Sequence, residues 1–385
     1  MQLSKRAKFL AISLGLVLSA TVAPAHAVDL QGSGASFVIP VVDACKVGFA
    51  KNSNHTITYG AGGSGRGKSN SDANIGDFWF SDSAHTGSTR RDSIVHAPVV
   101  AAPVVVMHNL PARTQLYLSP ATVAGIFSGE ITKWNDPKIV ADNNRSVTEV
   151  VYRKDIDGNV KKDKNGNNVI LRTRTKNIRY TLPNKEITVF YRSDNSGTTN
   201  NFTRWMNNTA KDVWTKSAND AFTTSFPGDL NASGIRGRLV GANGSQGVAL
   251  AASRTKYSIT YAESNFATTY GLKTTAIGNA SGNFTLPTGP AVSAFLAEST
   301  ADPKSGFFTF DYATKEPGAY TLGIVSYMLI DTEPKDKARG RAVKEWAEYL
   351  MSADCTSGDA GGRGFITLSG KLLEIAKAQV NKMKL

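Results

Sequence analysis

Three small hydroxyl residues stand beside glycine at predicted helix starts, and an arginine and an aspartate accompany them. Ser36 follows Gly-Ala, Ser64 lies between two glycines, and residues 196–198 read Ser-Gly-Thr before a predicted helix. Each place offers a hydroxyl and unpaired backbone N–H groups where the helix dipole favours negative charge. N-capping is the commoner use of a single serine. Three such places, joined by Arg192 and Asp82, favour an anion-binding site.

A glycine-rich stretch at residues 62–69 matches the phosphate-loop pattern G-x-x-x-x-G-K-[ST] and follows a predicted strand. That loop requires a helix directly behind it, with its N-terminus facing the phosphates. Residues 70–74 read Asn-Ser-Asp-Ala-Asn, which is poor helix material, so we predict no such helix and no nucleotide site. The flexible glycines still offer backbone N–H groups that suit an oxyanion.

Catalytic and metal-binding patterns are scarce. Asp163 begins a stretch like a calcium loop, but Asn168 and Arg174 stand where that loop needs glycine and glutamate. The histidines form no H-E-x-x-H, and no serine is flanked as G-x-S-x-G. We therefore predict no catalytic residue, no metal and no cofactor, in a chain that is not an enzyme.

Composition indicates a folded chain of two domains. Of its 385 residues, 41% are hydrophobic and 19% are charged, which suits two domains of roughly 100–200 residues each. The net charge of +13 points to an anionic ligand, an anionic surface or nucleic acid. Two cysteines exclude a disulfide-dense scaffold and a cysteine-rich zinc module.

The first 27 residues predict a secretory signal peptide. Lys5, Arg6 and Lys8 precede a largely apolar stretch at 9–22, and Ala-His-Ala at 25–27 is a cleavage signal. The alternative, a membrane anchor, needs about 20 apolar residues. No cysteine stands at the cleavage point, so we expect no lipid anchor and a periplasmic or secreted chain. Removing three basic residues from +13 leaves a mature charge of +10.

Two features stay open at this stage. Cys45 and Cys355 either pair in an oxidising compartment or remain as two buried thiols. Residues 151–180 hold nine Lys/Arg and three Asp, with turn dipeptides at 157–158 and 165–166. This basic β-excursion is either a solvated insertion, which we favour, or a binding surface.

Strands alternate with helices along the chain, which predicts an α/β fold with ligand loops at the strand ends. The predicted strands are 56–59, 78–80, 99–107, 187–191 and 324–330. The predicted helices are 41–50, 122–127, 337–351 and one that runs from residue 198 through Trp205.

Five blocks in fixed order make the chain resemble the periplasmic phosphate-binding proteins of bacterial phosphate ABC transporters. They are residues 32–37, 59–65, 80–82, 118–137 and 191–198. The long block Leu-Ser-Pro-x-Thr-Val-Ala-x-Ile-Phe-Ser-Gly-x-Ile-Thr-x-Trp-Asn-Asp-Pro is the most characteristic of them. The resemblance is clear over about 29–265 and weaker beyond it.

The resemblance implies a phosphate site in a cleft between two lobes. By position, its ligands are Ser36, Phe37, Ser64, Asp82, Arg192, Ser196, Gly197 and Thr198. Ser36 keeps the hydroxyl of the threonine that is usual there, and Phe37 contributes its main-chain N–H. Asp194 matches an acid that pairs with the binding arginine, and Asp82 matches the carboxylate acceptor.

The chemistry of such a cage is selective. A dehydrated anion needs a hydrogen bond at every oxygen, because an unpartnered buried polar group costs several kcal/mol. The arginine supplies a planar fork of donors. An ionised carboxylate only accepts hydrogen bonds, so Asp82 suits the proton that phosphate still carries at neutral pH. Sulfate carries none and meets an unpaired negative charge.

The resemblance predicts an α/β, two-lobed type II periplasmic-binding-protein fold with an interlobe ligand cleft. Lobe one is expected from 29–104 plus 322–385, lobe two from 105–321, with hinges near Pro103 and Leu322. The implied function is capture of inorganic phosphate by a monomer and delivery to a membrane permease. The alternatives are an exported phosphate-ester hydrolase and a basic adhesion or nucleic-acid-binding protein; we expect no nucleic-acid partner.

Overall fold

The computed structural model describes residues 27–111, 115–156, 160–164 and 169–385. The predicted signal peptide, apart from Ala27, and the turn dipeptides at 157–158 and 165–166 lie outside the described residues. In the described part of the chain, no helix has the length and apolar character needed to cross a membrane.

Helices and strands alternate, which confirms the predicted α/β class. The strands are β1 Asp29–Gly34, β2 Thr56–Ala61, β3 Phe78–Ser81, β4 Ile94–His108, β5 Leu116–Leu118, β6 Arg145–Tyr152, β7 Ile170–Ile178, β8 Thr188–Arg192, β9 Leu239–Ala242, β10 Ser258–Glu263, β11 Lys273–Gly278, β12 Phe284–Thr285, β13 Thr300–Ala301, β14 Phe308–Thr309 and β15 Gly323–Asp331. The helices are α1 Ile39–Ser53, α2 Gly63–Asp72, α3 Pro120–Phe127, α4 Pro137–Asn143, α5 Gly197–Thr209, α6 Phe222–Ser225, α7 Gly244–Arg254, α8 Ser264–Tyr270, α9 Gly289–Ala297, α10 Lys337–Leu350 and α11 Gly370–Val380.

Strand β4 joins two groups of strands. Its first part pairs with β15 as far as Pro103, and its last part pairs with β10 from Val104 onward, both antiparallel. On one side of this crossover lie β1, β2, β3 and β15, which we call the first strand group. On the other side lie β8, β9, β10 and β11, the second strand group. The apolar run that predicted a buried strand at 99–107 is therefore the bridge between the groups.

Parallel pairing sets the direction of the loops. In the first group β1 is parallel to β2 and β3, and in the second group β8 is parallel to β9 and β10. The carboxyl ends of parallel strands meet at one edge of a sheet, where the crevice of an open α/β sheet binds ligands. Loops that follow these six strands are thus the ones to search for a site.

Helix α2 overturns the expectation that no helix follows the glycine-rich loop. It spans Gly63–Asp72, with few good helix formers. The missing side chains let the helix approach the sheet: a Cβ atom at Gly67 would lie 2.3 Å from the carbonyl oxygen of Phe80 and 3.0 Å from the Cα of Gly34. Tertiary packing therefore outweighs weak helix propensity in this segment.

The basic excursion forms a two-stranded antiparallel ribbon of β6 and β7. Eight of the nine residues of β7 are exposed, from Ile170 to Asn177, and only Ile178 is buried. The ribbon begins at Arg145, earlier than the predicted bound of 151.

The two cysteines pair, which closes the question that the sequence left open. Cys45 on α1 is bonded to Cys355, which lies in a π-helical turn spanning Asp354–Asp359, with a Cα–Cα distance of 5.1 Å. Both residues are fully buried. The bond fastens the C-terminal part of the chain to the first helix.

Candidate anion-binding site

Six polar side chains lie at or just after the carboxyl ends of the six parallel strands. In the first strand group these are Ser36 after β1, Ser64 after β2 and Asp82 after β3. In the second they are Arg192 at the end of β8, Ser245 after β9 and Glu263 at the end of β10. Each of the six residues is at least 95% buried. The crossover topology thus brings residues that are far apart in sequence to one edge.

Asp82 is the carboxylate of this edge. Its Oδ1 accepts a hydrogen bond from Ser326 Oγ at 2.7 Å, and its Oδ2 accepts one from Thr198 Oγ1 at 3.3 Å. The backbone N–H of Asp82 donates to Ser64 Oγ at 3.0 Å. Burial raises the pKa of Asp82 to about 6, although these hydroxyl donors and Arg192 oppose the shift.

Arg192 is the guanidinium of this edge, and Asp194 holds it. Its Nε and Nη2 donate to the two carboxylate oxygens of Asp194, the first at 2.7 Å. Asp194 Oδ1 also accepts from the backbone N–H of Gly244 at 2.9 Å. Burial alone would lower the pKa of Arg192, but the bond to Asp194 raises it above its ordinary value, so the guanidinium stays charged. This bidentate pair leaves Nη1 directed away from Asp194.

The start of α5 supplies the remaining predicted residues. Ser196 caps the helix, because its Oγ accepts from the backbone N–H of Thr199 at 3.1 Å. Gly197 lies against Ser64: a Cβ atom there would be 2.5 Å from Ser64 Oγ. Thr198 donates to Asp82, as described above. The first turn of α5, which follows β8 of the second strand group, therefore contacts Ser64 and Asp82, which follow β2 and β3 of the first.

Phe37 differs from the other predicted ligands because its side chain packs in the hydrophobic core. It is fully buried in the core and packs edge-on against Phe365, with ring centroids 5.8 Å apart. Any contribution to an anion would therefore come from its main chain, as the resemblance implies.

A second polar network crosses between the strand groups beside the site. Lys68 Nζ on α2 donates to Asp220 Oδ2 at 2.8 Å and to Ser83 Oγ at 2.8 Å. Ser83 Oγ in turn donates to Asp220 Oδ1 at 2.8 Å. Lys68 of the phosphate-loop pattern thus binds a carboxylate of this chain.

Sequence reasoning missed Ser245 and Glu263. Ser245 lies in the first turn of α7 after Asn-Gly, so it shows the same pattern of a hydroxyl beside glycine at a helix start that singled out the other serines. Glu263 is an acidic residue that ends a buried strand. The pattern could have found Ser245, whereas Glu263 is marked in the sequence only as one acid at the end of the segment Ser-Ile-Thr-Tyr-Ala-Glu.

The edge combines a shell of donors with three carboxylates: Asp82 after β3, Asp194 after β8 and Glu263 at the end of β10. Hydroxyls, helix N–H groups and one guanidinium are donors for the oxygens of an anion. Asp82 offers only acceptor positions while it is ionised, and these suit an acidic proton on a ligand.

Comparison with known proteins places the chain in a family. The model of the PBP superfamily domain matches residues 20–354. The chain belongs to the PBP superfamily. Its α/β architecture is that superfamily's type II fold, as predicted.

Curated relatives of this PBP-superfamily chain carry a shared name. The chain is 29% identical over 338 residues to phosphate-binding protein PstS 3 of Mycobacterium tuberculosis, covering 85% of this chain and 78% of the relative. It is 26% identical over 351 residues to phosphate-binding protein PstS of Haemophilus influenzae, covering 89% and 90%. The resemblance predicted from the five sequence blocks is confirmed.

Solved structures show the same fold. A high affinity periplasmic phosphate-binding protein (PfluDING) bound with phosphate is similar with a TM-score of 0.64 at 19% identity, covering 91% of this chain and 93% of that one. An ancestral soluble variant of the human phosphate binding protein is similar with a TM-score of 0.66 at 18% identity, covering 92% and 98%.

Proposed function

We propose that the chain is an exported solute-binding protein that captures inorganic phosphate and delivers it to an ABC-type permease. The relatives named as phosphate-binding proteins support this function. The proposed ligands are Ser36, Phe37, Ser64, Asp82, Arg192, Ser196, Gly197 and Thr198, with Asp194 holding the arginine. We propose a binding role without catalysis, in a periplasmic or secreted monomer.

One observation carries the proposal: a buried carboxylate, Asp82, is set among donors beside a buried guanidinium, Arg192. A general anion site would gain from donors alone, since a fixed negative charge repels the ligand. The carboxylate stabilises only a ligand that brings its own proton to that position. Phosphate and arsenate do so at neutral pH, and sulfate does not.

We propose that the two strand groups are the cores of two lobes, 29–104 plus 322–385 and 105–321. Strand β4 changes partners between Pro103 and Val104, and the backbone N–H of Val104 donates to Leu322 O at 2.9 Å. The two segments that connect the proposed lobes, near Pro103 and near Leu322, therefore lie side by side. Two adjacent connecting segments suit a hinge. Ligand would stabilise the closed arrangement of the lobes.

Titration calorimetry with phosphate, arsenate and sulfate tests the function. We expect phosphate and arsenate to bind, and sulfate to bind at least about 100-fold more weakly, since unpaired like charge costs several kcal/mol. Arg192→Ala should abolish binding, whereas Arg236→Ala, at an exposed position, should leave it unchanged. Circular dichroism of both variants checks their folding.

Salt separates this function from a charge-driven polyanion binder. A protein that binds polyanions through many lysines loses about 10³-fold or more in affinity between 50 and 200 mM salt. An enclosed site with one guanidinium should lose less than about tenfold. Weak phosphate binding by the wild-type protein, or equally tight binding of sulfate, would overturn the proposal.

A further inference from the structure

Ser245 occupies a position shared by both sides of the site. Its Oγ lies 3.2 Å from Ser36 Oγ, and its backbone N–H donates to the same atom at 3.2 Å. Arg192 Nη1, the nitrogen not bound to Asp194, donates to Ser245 Oγ at 2.9 Å. The side chain is fully buried. Ser245 therefore contacts one proposed ligand from each strand group.

Glu263 lies directly behind Ser245. Ser245 Oγ donates to Glu263 Oε1 at 3.0 Å. The other oxygen, Oε2, is buried and has no hydrogen-bond partner among the described residues. A buried carboxylate oxygen without a donor destabilises the ionised group, because burial removes its hydrogen bonds to water and no protein donor replaces them.

Two charged groups face Glu263 from other elements: Arg192 at the end of β8 and Asp82 after β3. Burial raises the pKa of Glu263 to about 7; Arg192 opposes the shift and Asp82 reinforces it. An anion held beside Arg192 would add negative charge near Glu263 and favour the protonated acid further.

We infer that Ser245 is a further anion-binding residue and that Glu263 takes up a proton when the anion binds, so that Ser245 donates its hydroxyl proton to the anion and no longer to Glu263. This inference rests on the proposed function. The proton comes from solvent and converts the Glu263 carboxylate to a carboxylic acid. The new Glu263 O–H then donates to Ser245 Oγ.

The hydroxyl of serine has one proton to give. While Glu263 is ionised, that proton is donated to Oε1, and Ser245 Oγ accepts from Arg192 Nη1. Once Glu263 is protonated, Ser245 can direct its own proton to an anion oxygen, and Arg192 Nη1 can do the same. Ser245 is thus a ligand, and Glu263 is a positioning residue that acts through it.

The test is phosphate calorimetry at pH 7.5 in two buffers with different ionisation enthalpies, which counts the protons taken up per anion bound. Titration of phosphate itself contributes equally to wild type and variant, so their difference reports the protein. We expect Glu263→Gln to take up about half a proton less than wild type, as expected for a group that titrates near that pH. Glu298→Gln, at an exposed position, should match wild type.

Affinity gives the second readout. Ser245→Ala should raise the Kd for phosphate about tenfold, the scale of one lost hydrogen bond to a charged group. Ser253→Ala, on the same helix but bonded to Leu250 O, should leave the Kd unchanged. In the Ser245→Ala background, Glu263→Gln should cost little more, because Glu263 acts through Ser245.

Unchanged proton uptake in Glu263→Gln, or wild-type affinity in Ser245→Ala, would overturn the inference. If Glu263→Gln fails to fold, Ser245→Ala decides through its affinity for phosphate. Failure of the wild-type protein to bind phosphate would instead count against the proposed function itself.

Discussion

Gly197 lies so close to Ser64 that no side chain fits between them. A Cβ atom at Gly197 would lie 2.5 Å from Ser64 Oγ and 2.8 Å from the backbone nitrogen of Ser83. Gly197 starts α5, which follows β8 of the second strand group, and Ser64 lies in α2, which follows β2 of the first. The contact therefore joins the two sides of the site.

Gly197→Ala should therefore prevent this close approach. We expect its Kd for phosphate to rise at least about tenfold, since overpacking typically costs about 1–3 kcal/mol, and we expect far-UV circular dichroism to stay as in wild type. Gly60→Ala is the control, because a Cβ atom at Gly60 has no neighbour within 4 Å. Wild-type phosphate affinity in Gly197→Ala would show that the site closes without this contact.

The Lys68–Asp220 pair should stabilise the closed arrangement. The side chains are only 17% and 16% exposed, and Ser83 bonds to both. We expect Lys68→Met to raise the Kd for phosphate about tenfold, because charged hydrogen bonds contribute about 1.5–3 kcal/mol. X-ray scattering of the phosphate-bound Lys68→Met variant should show a larger radius of gyration than that of phosphate-bound wild type, because a larger share of the variant would remain open.

The control for this pair is Lys46→Met. Lys46 binds Asp43 within α1, and both side chains are well exposed. Exposed pairs contribute about 0–1 kcal/mol, so phosphate affinity should not change. Equal behaviour of the Lys68 and Lys46 variants would remove Lys68 from the closing mechanism.

Sulfate binding should depend on pH through Asp82. Burial raises the pKa of Asp82 to about 6, so the carboxyl is ionised at pH 8 and accepts only. At pH 5 it is protonated and donates, and sulfate is still fully deprotonated. Glu263, with a pKa raised to about 7, acts in the same direction.

We therefore expect the affinity for sulfate to rise at least about tenfold from pH 8 to pH 5, the sign expected when ligand binding favours a protonated acid. Competition against labelled phosphate at each pH measures it. A sulfate affinity that is flat over this range would contradict the assigned role of Asp82.

The Cys45–Cys355 bond should stabilise the fold without serving the site. It closes a loop with a sequence separation of 310 residues, and removal of a native disulfide costs about 2–5 kcal/mol. We expect the double variant Cys45→Ala, Cys355→Ala to show a lower Tm in calorimetry, with a Kd for phosphate within about threefold of wild type. An unchanged Tm would contradict this.

Strands were predictable where apolar runs are long. The run at 324–330 matches β15 to within one residue at each end. The run at 99–107 lies within β4, which begins five residues earlier, at Ile94, and ends at His108. Such runs bury both faces, so their pattern depends little on neighbours. The antiparallel pairing of β4 with β15, which sets the crossover, depends on contacts between residues far apart and has no local signal.

The prediction of no helix after the glycine-rich loop is wrong because helix α2 also depends on contacts between residues far apart in the sequence. The segment after Gly63 is rich in glycine, serine and asparagine, and it is helical because small residues let it pack on β1 and β3. In the sequence, Lys68 is distinguished only by its place in the phosphate-loop pattern at residues 62–69. Its partner, Asp220, lies 152 positions away, and sequence spacing cannot reveal such a pair.

Among the site residues, the serines followed a local pattern, whereas Glu263 did not. Ser64 lies between two glycines in the first turn of α2, and Ser36 follows Gly-Ala just before α1. Ser245, which follows Asn-Gly in the first turn of α7, carries the same signal. The role inferred for Glu263 depends on its hydrogen bond to Ser245 and on the charge of Arg192. Ser245 follows β9 and Arg192 ends β8, so both reach Glu263 only through the folded sheet. Buried acids of this kind are visible only once the sheet is assembled.

Sulfate and phosphate binding by Asp82→Asn at pH 8 tests the central claim most directly. The variant keeps the size of the side chain and removes its charge, so a deprotonated oxyanion no longer meets a fixed negative group. We predict that wild type prefers phosphate over sulfate at least about 100-fold and that Asp82→Asn narrows the preference to less than about tenfold. An Asp82→Asn protein that still rejects sulfate as strongly as wild type would contradict the account.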